Sequence, residues 1–317
     1  MKSLTHFCVT ISFLIFCTIN NTKAQGCSDA GFCTIGVLKG NQHSDNVYDT
    51  RWGLNTNVGV ADGGVFVSTT TLEYNKNIGK KSFFQIKEPI TITSGSLGST
   101  AGFGDLSVSL SRRVYSQGNI HLDAVIGAKI ALGSTTFQAN GLDLPMPYQT
   151  GLGTNDLILG LSYKVNTWHF VVGYQQPFGR ASNNFLKEYR NAEDVKNYFD
   201  SAKLLRKSDI LLRIERFINI NEKWSGSVGM LPIFHLGEDE IILKDGSNGI
   251  VKNSGGLTLN FNLGFSYKLN DFNTLKSSLS APLVVREVRP DGLTRTFVIG
   301  LGFEHEGILR SIFHKQR

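Results

Sequence analysis

Side chains that could carry out nucleophilic or acid–base chemistry are sparse in this sequence. It contains no serine motif such as G-x-S-x-G, the turn that exposes the nucleophile of many hydrolases. Residues 43–46 read HSDN and include the residue types of a Ser-His-Asp triad, but consecutive residues of an extended segment point in different directions. The remaining histidines after residue 24 are isolated: His121, His169, His235, His305 and His314. We therefore expect no catalytic residues and no enzyme activity.

The cysteines carry the second possible chemistry. Cys8 and Cys17 fall within the first 24 residues, whereas Cys27 and Cys33 lie in GCSDAGFCTIG. Two thiols in an oxidising compartment favour a disulfide, and a metal or redox site is the alternative. Because no histidine lies near the pair, the ligand set for a metal is poor. We expect a Cys27–Cys33 disulfide, and neither a metal nor a cofactor.

The first 24 residues have the pattern of an export signal. A short start containing Lys2 precedes the apolar run FCVTISFLIFCTI. Thr22 and Ala24 are small residues at the two positions that a signal peptidase reads. The run is shorter than the ~20 residues that a membrane-spanning helix needs, so an N-terminal anchor is the weaker interpretation. We predict cleavage after Ala24 and export. The net charge of +6 comes from scattered basic residues, which does not favour nucleic-acid binding.

The element with the clearest pattern is the strand LTLNFNLGFSYKL at 257–269. Leucine, phenylalanine and tyrosine alternate there with threonine, asparagine, glycine, serine and lysine. A period of two predicts an extended strand with one apolar face and one polar face, of about the length that crosses a bilayer when tilted. The strand therefore separates an apolar medium from an aqueous one.

About twelve segments read as strands of this kind. They lie at 52–60, 65–76, 82–92, 104–116, 119–133, 153–165, 167–178, 206–219, 223–234, 256–269, 272–285 and 294–305. We predict an all-β fold, a transmembrane antiparallel up-and-down β-barrel of about twelve strands. The predicted divisions are a signal peptide at 1–24, a periplasmic segment at 25–51, the barrel at 52–305 and a C-terminal tail at 306–317.

The connections between these strands alternate in length. Short turns such as NIGKK, SQGN and Asn166-Thr167 alternate with long connections at 93–103, 134–152, 179–205, 235–255 and 286–293, the first turn at 61–64 being an exception. Outer-membrane barrels have short periplasmic turns and long outer loops, and their interfacial aromatic residues form girdles. Segment 179–205 fits one or two short amphipathic helices, either as a gate over the mouth or as a surface decoration.

If the apolar faces contact lipid, the polar faces line a lumen. The candidate lining residues are Lys87, Asp105, His121, Asp123, Lys129, Lys164, Arg213, Glu215, Lys268 and Lys276. One interpretation is a hydrated, salt-bridged filling that holds the barrel together. The other is a pore or binding channel whose basic bias favours anions or carboxylates.

Four consecutive segments carry a family resemblance: GFGDLSVSL (102–110), KIALGS (129–134), TGLGTNDLILGLSY (150–163) and HFVVGYQQPFG (169–179). They resemble the outer-membrane transporter family of the phenol-degradation (MetA-pathway) type, and more distantly the long-chain fatty-acid transporter barrels. The resemblance implies a channel in the outer membrane of a Gram-negative cell that takes up small molecules, hydrophobic or aromatic ones among them. It carries over no site residues, and the final FHKQR departs from the terminal aromatic residue common in such barrels.

The sequence thus predicts an outer-membrane channel or transporter whose partners are the lipid bilayer and an unidentified small molecule. The alternative is a structural or surface-interaction barrel with a closed lumen. A soluble sandwich and a barrel-embedded enzyme are the remaining possibilities.

Overall fold

The computed structural model describes residues 35–39 and 49–307. The predicted signal peptide, the Cys27–Cys33 disulfide and residues 308–317 of the predicted tail lie outside the described residues. The strands are β1 (Thr50–Ala61), β2 (Phe66–Ile78), β3 (Ser82–Gly95), β4 (Gly98–Phe103), β5 (Leu106–Gln117), β6 (Ile120–Ile130), β7 (Gln138–Ala139), β8 (Leu142–Asp143), β9 (Asn155–Val165), β10 (Trp168–Phe178), β11 (Asp209–Asn219), β12 (Trp224–His235), β13 (Glu240–Ile242), β14 (Asn248–Ile250), β15 (Gly256–Lys268), β16 (Asn273–Val284) and β17 (Arg295–Gly307). Short 3-10 turns occur at Gly36–Leu38, Asp62–Gly64, Met146–Tyr148 and Lys187–Tyr189, and one α-helical turn spans Ala192–Val195.

The long strands form a closed antiparallel ring. Neighbours pair in the order β2-β1-β17-β16-β15-β12-β11-β10-β9-β6-β5-β3, and the β2–β3 pairing closes the circle. β4 pairs with the second half of β3 and β5 with its first half, so β4 and β5 together occupy a single position in the ring. The predicted twelve-stranded antiparallel barrel is confirmed.

The alternation in sequence sets which side chains face outward. Apolar residues such as Leu72 and Leu110 are exposed on the outer surface, whereas their polar neighbours Glu73, Ser109 and Ser111 are buried inside the ring. An apolar exterior of this extent would aggregate in water and is stable in a bilayer. Glu88 is an exception in the middle of β3, because it shares the outward face with Ile86, Ile90 and its cross-strand partner Leu72.

The two ends of the barrel differ. At the short-turn end, turns at 79–81, 118–119, 166–167, 220–223 and 269–272 join the strands. At the long-loop end, loops 131–154, 179–208, 236–255 and 285–294 fold together over the opening. Among the residues that the structure describes, no helix has the length and hydrophobicity needed to cross a membrane.

Two local predictions differ from the structure. The segment 93–103, expected as a loop, forms the end of β3 and all of β4, because the alternation in Ile90-Thr91-Ile92-Thr93 continues β3 beyond residue 92. Segment 179–205 is mostly irregular, with helical structure limited to Lys187–Tyr189 and Ala192–Val195. Its apolar residues instead pack individually into the loop assembly.

Aromatic side chains concentrate at the short-turn end. All three tryptophans lie there, Trp52 with its ring centroid 4.4 Å from that of Tyr74 and Trp224 with its centroid 4.6 Å from that of Tyr267. Trp168 stacks on Phe170 at 6.1 Å. Aromatic side chains are favoured at a membrane interface, because one part of the ring can contact lipid while another part contacts water. This end therefore presents one aromatic girdle.

Candidate functional site: the barrel lumen

The structure places the predicted lining residues at different depths. Lys87, Asp105, Asp123, Lys129 and Glu215 are buried inside the barrel. His121, Lys164, Arg213 and Lys276 are half-buried, and Lys268 is exposed at the end of β15. His121 and Lys268 lie at the short-turn end, away from the central group. The function of all ten residues stays a prediction.

The centre of the lumen contains a charge cluster around Glu73. Its carboxylate lies 2.7 Å from the Lys39 ammonium and 3.9 Å from that of Lys87. The side-chain amides of Asn75 and Gln85 donate hydrogen bonds to its other oxygen at 2.9 and 3.0 Å. Because a buried carboxylate is costly unless it is paired and hydrogen-bonded, these contacts fix Glu73 in place.

A second cluster lies where the barrel meets the long loops. The Lys129 ammonium is 2.8 Å from Asp156 and 3.6 Å from Asp105. Asp105 also accepts hydrogen bonds from the backbone amides of Gly133 and Leu152 at 3.1 and 2.9 Å. Asp105 therefore ties the loop that follows β6 to the wall at the junction of β4 and β5.

The segment Ile35–Lys39, called here the plug segment, lies inside the barrel. Its apolar side chains contact an apolar stripe on the inner wall, formed by Phe83, Val125, Ile158, Val171, Leu211 and Leu231. The backbone amide of Gly36 donates to Gln85 Oε1 at 2.7 Å, and Lys39 pairs with Glu73. Part of the region expected to precede the barrel thus occupies its lumen.

Close packing holds the plug segment against the wall. Gly36 adopts a φ of +49°, and a Cβ there would lie 2.5 Å from Ser111 Oγ and 2.9 Å from Val125 Cγ2. A Cβ at Gly160 of the wall would lie 2.5 Å from Leu38 Cδ2. Both contacts require glycine, because any larger residue would push the plug segment away from the wall.

Two adjoining cavities run beside the plug segment, with volumes of about 190 and 220 Å³. Both are lined by Lys39, Asn55, Asn57, Arg213, Glu215, Ser227 and Ser278. The first extends toward the short-turn end past Lys276, and the second reaches Lys87 and Leu231. Their lining is rich in asparagine, serine and glycine, so this half of the lumen is wettable.

The long loops close the other end of the barrel. Tyr148, Phe185 and Tyr198 pack with residues at the ends of β1 and β2, and burial raises the pKa of Tyr198 above its usual value. Arg286 pairs with Asp291 at 2.6 Å beneath the loops. Although burial favours the neutral acid, Arg286 and Arg206 hold the pKa of Asp291 well below its usual value. These loops enclose a cavity of about 70 Å³ against the barrel.

His235 links the barrel rim to the loop that follows it. Its Nδ1 lies 2.7 Å from Asp209 and its Nε2 2.8 Å from Asp239. Carboxylate oxygens of ionised side chains only accept hydrogen bonds, so a ring protonated on both nitrogens satisfies both partners. Asp239 also accepts from the backbone amide of Lys207 at 2.9 Å, which fastens two loops at one point.

One serine–histidine contact could suggest nucleophilic chemistry. Ser162 Oγ and His169 Nε2 share a hydrogen bond of 2.7 Å, and His169 Nδ1 lies 3.8 Å from Glu215. Ser162 and His169 are both fully buried, and neither lines a cavity described above. The contact joins two buried side chains of neighbouring strands, β9 and β10, in the barrel wall. Among the described residues, no group of three His, Cys, Asp or Glu side chains could hold a metal.

Sequence reasoning missed several central residues. Glu73 and Glu304 pair with the lumen lysines. The alternating pattern could have placed both on the inner face, because Leu72 and Tyr74 flank Glu73, and Phe303 and His305 flank Glu304, on the opposite face. Lys39 and the plug segment carry no such signal, since only tertiary contacts place that short run inside the barrel.

Comparison with known proteins concerns the fold. No family model matches the sequence, and no curated protein matches it. An outer-membrane channel from Pseudomonas putida F1 is similar in structure, with a TM-score of 0.57 and 14% identity over 84% of this chain and 98% of that chain. The fold is that of an outer-membrane β-barrel channel. Weaker likenesses include the NanC porin (TM-score 0.45, 10% identity, 80% of this chain and 100% of that one) and the KdgM porin in complex with disordered oligogalacturonate (TM-score 0.40, 8% identity, 80% and 99%).

Proposed function

We propose that this protein is an outer-membrane channel for small molecules with a hydrophobic or aromatic body. The observation that carries the proposal is the apolar stripe on the inner wall. Side chains that line a water-filled barrel are ordinarily polar, yet six apolar residues from six different strands form one buried cluster with the plug segment here. Such a patch is stable only when something apolar covers it.

The plug segment covers this patch in the structure. Ile35, Val37 and Leu38 pack against the stripe. The other contacts of the plug segment are the hydrogen bond from the Gly36 amide to Gln85 and the ion pair of Lys39 with Glu73. Displacement of so short a segment would expose the stripe and enlarge the adjoining cavities. An apolar solute could then take its place on the stripe.

The apolar outer surface and the alternation of short turns with long loops support a location in the outer membrane. We propose that the protein lies in the outer membrane of a Gram-negative cell, with the long loops outside and the short turns in the periplasm, after export by the signal at 1–24. The four segments from 102–110 through 169–179 resemble transporters of the phenol-degradation type. This resemblance supports a role in uptake.

Channel recordings with a plug variant test the proposal. We expect full-length protein in planar bilayers to show small or infrequent openings, and Leu38→Asp to show larger or more frequent ones. The carboxylate cannot be buried against the stripe without a large cost, so the plug segment would be displaced. Leu243→Asp, in the exposed hairpin of β13 and β14, is the matched control and should behave as the unmodified protein does. The absence of channels from both the unmodified protein and Leu38→Asp would refute the proposal.

A structural or surface-interaction barrel is the second candidate, favoured by the closed loop assembly at the long-loop end. It predicts no conductance in either protein. The same recordings therefore separate the two functions.

A further inference from the structure

The surface of the two cavities beside the plug segment is positively charged. Lys39, Lys87, Arg213 and Lys276 line them, against the single carboxylate of Glu215. The glutamates that pair with these lysines, Glu73 and Glu304, lie behind them and line neither cavity. When these paired glutamates are counted, the four cationic groups still exceed the three carboxylates, and an excess of positive charge in a confined lumen concentrates anions.

Apolar surface meets this cationic surface within the same space. Leu231, a member of the apolar stripe, lines the 220 Å³ cavity together with Val298, and Phe217 lines the 190 Å³ cavity. Leu231 and Val298 are almost fully buried from bulk water. Each cavity thus has both apolar and cationic side chains in its lining.

The size of the space limits the solute. A cavity of about 150 Å³ is enough to hold benzene. The cavities of about 190 and 220 Å³ therefore accommodate one ring with a small substituent.

We propose that the molecule recognised in this lumen is a single-ring aromatic carboxylate. Its ring lies against Phe217, and its carboxylate lies among Lys39, Arg213 and Lys276, all of which line the 190 Å³ cavity. The side-chain amides of Asn55 and Asn57 provide further donors at the cavity surface. This assignment rests on the proposed channel function and adds the charge and size of its cargo.

The same contact links binding to the plug segment. The Lys39 ammonium belongs to the plug segment and faces both Glu73 and the cavities. A carboxylate that binds Lys39 competes with Glu73, and so weakens one of the contacts that hold the segment in place. Binding of the solute would thereby favour displacement of the plug segment.

Equilibrium binding to the full-length protein tests the assignment. The probes are benzoate, benzamide and benzylamine, which share one ring and carry negative, zero and positive charge at pH 7.5. Isothermal titration of the detergent-solubilised protein should give benzoate about tenfold tighter binding than benzamide, and no measurable binding of benzylamine. Equal binding of benzoate and benzamide, or no binding of benzoate, would overturn the assignment.

Variants locate the site. Arg213→Gln and Lys276→Gln should each weaken benzoate binding several-fold and leave benzamide binding unchanged. Lys252→Gln removes the same charge from an exposed loop and should change neither. If one lumen variant fails to fold, the other still decides the question, and unchanged benzoate binding in the folded variant contradicts the site.

Planar-bilayer recordings separate this inference from the function it rests on. Benzoate binding without conductance in either the unmodified protein or Leu38→Asp would refute the channel and leave the binding site intact. The protein could instead conduct potassium chloride while benzoate and benzamide block the current equally. That result would refute the assignment and leave the channel intact.

Discussion

Glu88 is the residue whose surroundings fit its chemistry least. It faces outward in the middle of β3, between Ile86 and Ile90 and opposite Leu72. An acidic side chain on the lipid face of a barrel is destabilising in proportion to its depth. The outer surface is otherwise apolar at this level, so Glu88 should reduce the stability of the barrel.

Replacing this glutamate should stabilise the protein. We expect Glu88→Leu to raise the free energy of unfolding from lipid vesicles by about 1 kcal/mol, because the carboxyl group no longer has to be placed in the bilayer. Urea titration followed by tryptophan fluorescence measures the change. Glu222→Leu, in an exposed turn, serves as the control and should have little effect. A loss of stability in Glu88→Leu would show that this carboxyl has a partner or function in the membrane.

The pair of Arg286 and Asp291 makes the loop assembly sensitive to strong acid. The folded-state pKa of Asp291 lies below its ordinary value of 3.8, so its stabilising effect is complete above pH 3.8 and is lost as the pH falls toward the lower folded value. Asp291→Asn should destabilise the loops at pH 7 by about 3 kcal/mol, since it leaves Arg286 buried without its carboxylate. The difference between variant and unmodified protein should shrink below pH 3.8. Protease susceptibility of the loops across pH measures this, and a difference that persists unchanged in acid would contradict it.

At the scale of elements, the plug segment depends on backbone geometry as much as on side chains. Gly36 has a φ of +49°, and its Cα faces Ser111 and Val125 of the wall. Any side chain there adds both conformational strain and a clash.

Gly36→Ala should therefore displace the plug segment without altering the wall. The positive φ alone costs about 1 kcal/mol, and the clash adds to it. We expect more frequent openings in single-channel recordings, while heat-modifiable gel mobility shows that the barrel stays folded. Gly118→Ala is the matched control, because Gly118 also has a positive φ of +54° but faces open space in a turn. Identical gating in both variants would argue against the plug segment as the obstruction.

The strands show how far local sequence determines this fold. The alternating segments at 120–132, 157–165, 257–269 and 297–303 correspond to β6, β9, β15 and β17, because two-sided burial in a barrel wall imposes a strict period of two. The β3–β4 hairpin was missed because Ser94 through Gly98 resembles a loop in composition. The same periodicity points to the lining residues, but not to their pairs. The contacts of Glu73 with Lys39 and of Lys276 with Glu304 join segments far apart in the chain.

At the scale of the whole molecule, the apolar outer surface governs stability and location. Leu301, 66% exposed in the middle of β17, lies at the centre of that surface. Leu301→Arg should destabilise the membrane-inserted barrel by about 3 kcal/mol, whereas Thr167→Arg in an exposed short turn should have little effect. The folded fraction in vesicles, measured by heat-modifiable gel mobility, tests this. Equal folding of the two variants would mean that β17 does not face lipid.

The closure of the ring has a consequence for assembly. β1 pairs with β17 from Thr50↔Gly307 to Ala61↔Arg295, so the strand made first and the strand made last share one seam. Until that seam forms, both edges of the sheet expose unpaired backbone groups that lipid cannot satisfy. We expect this pairing to form late in folding, because it joins segments far apart in the chain and carries a high loop-closure cost. The plug segment precedes β1 in the chain, so the segment that fills the lumen and one strand of the seam belong to neighbouring parts of the chain.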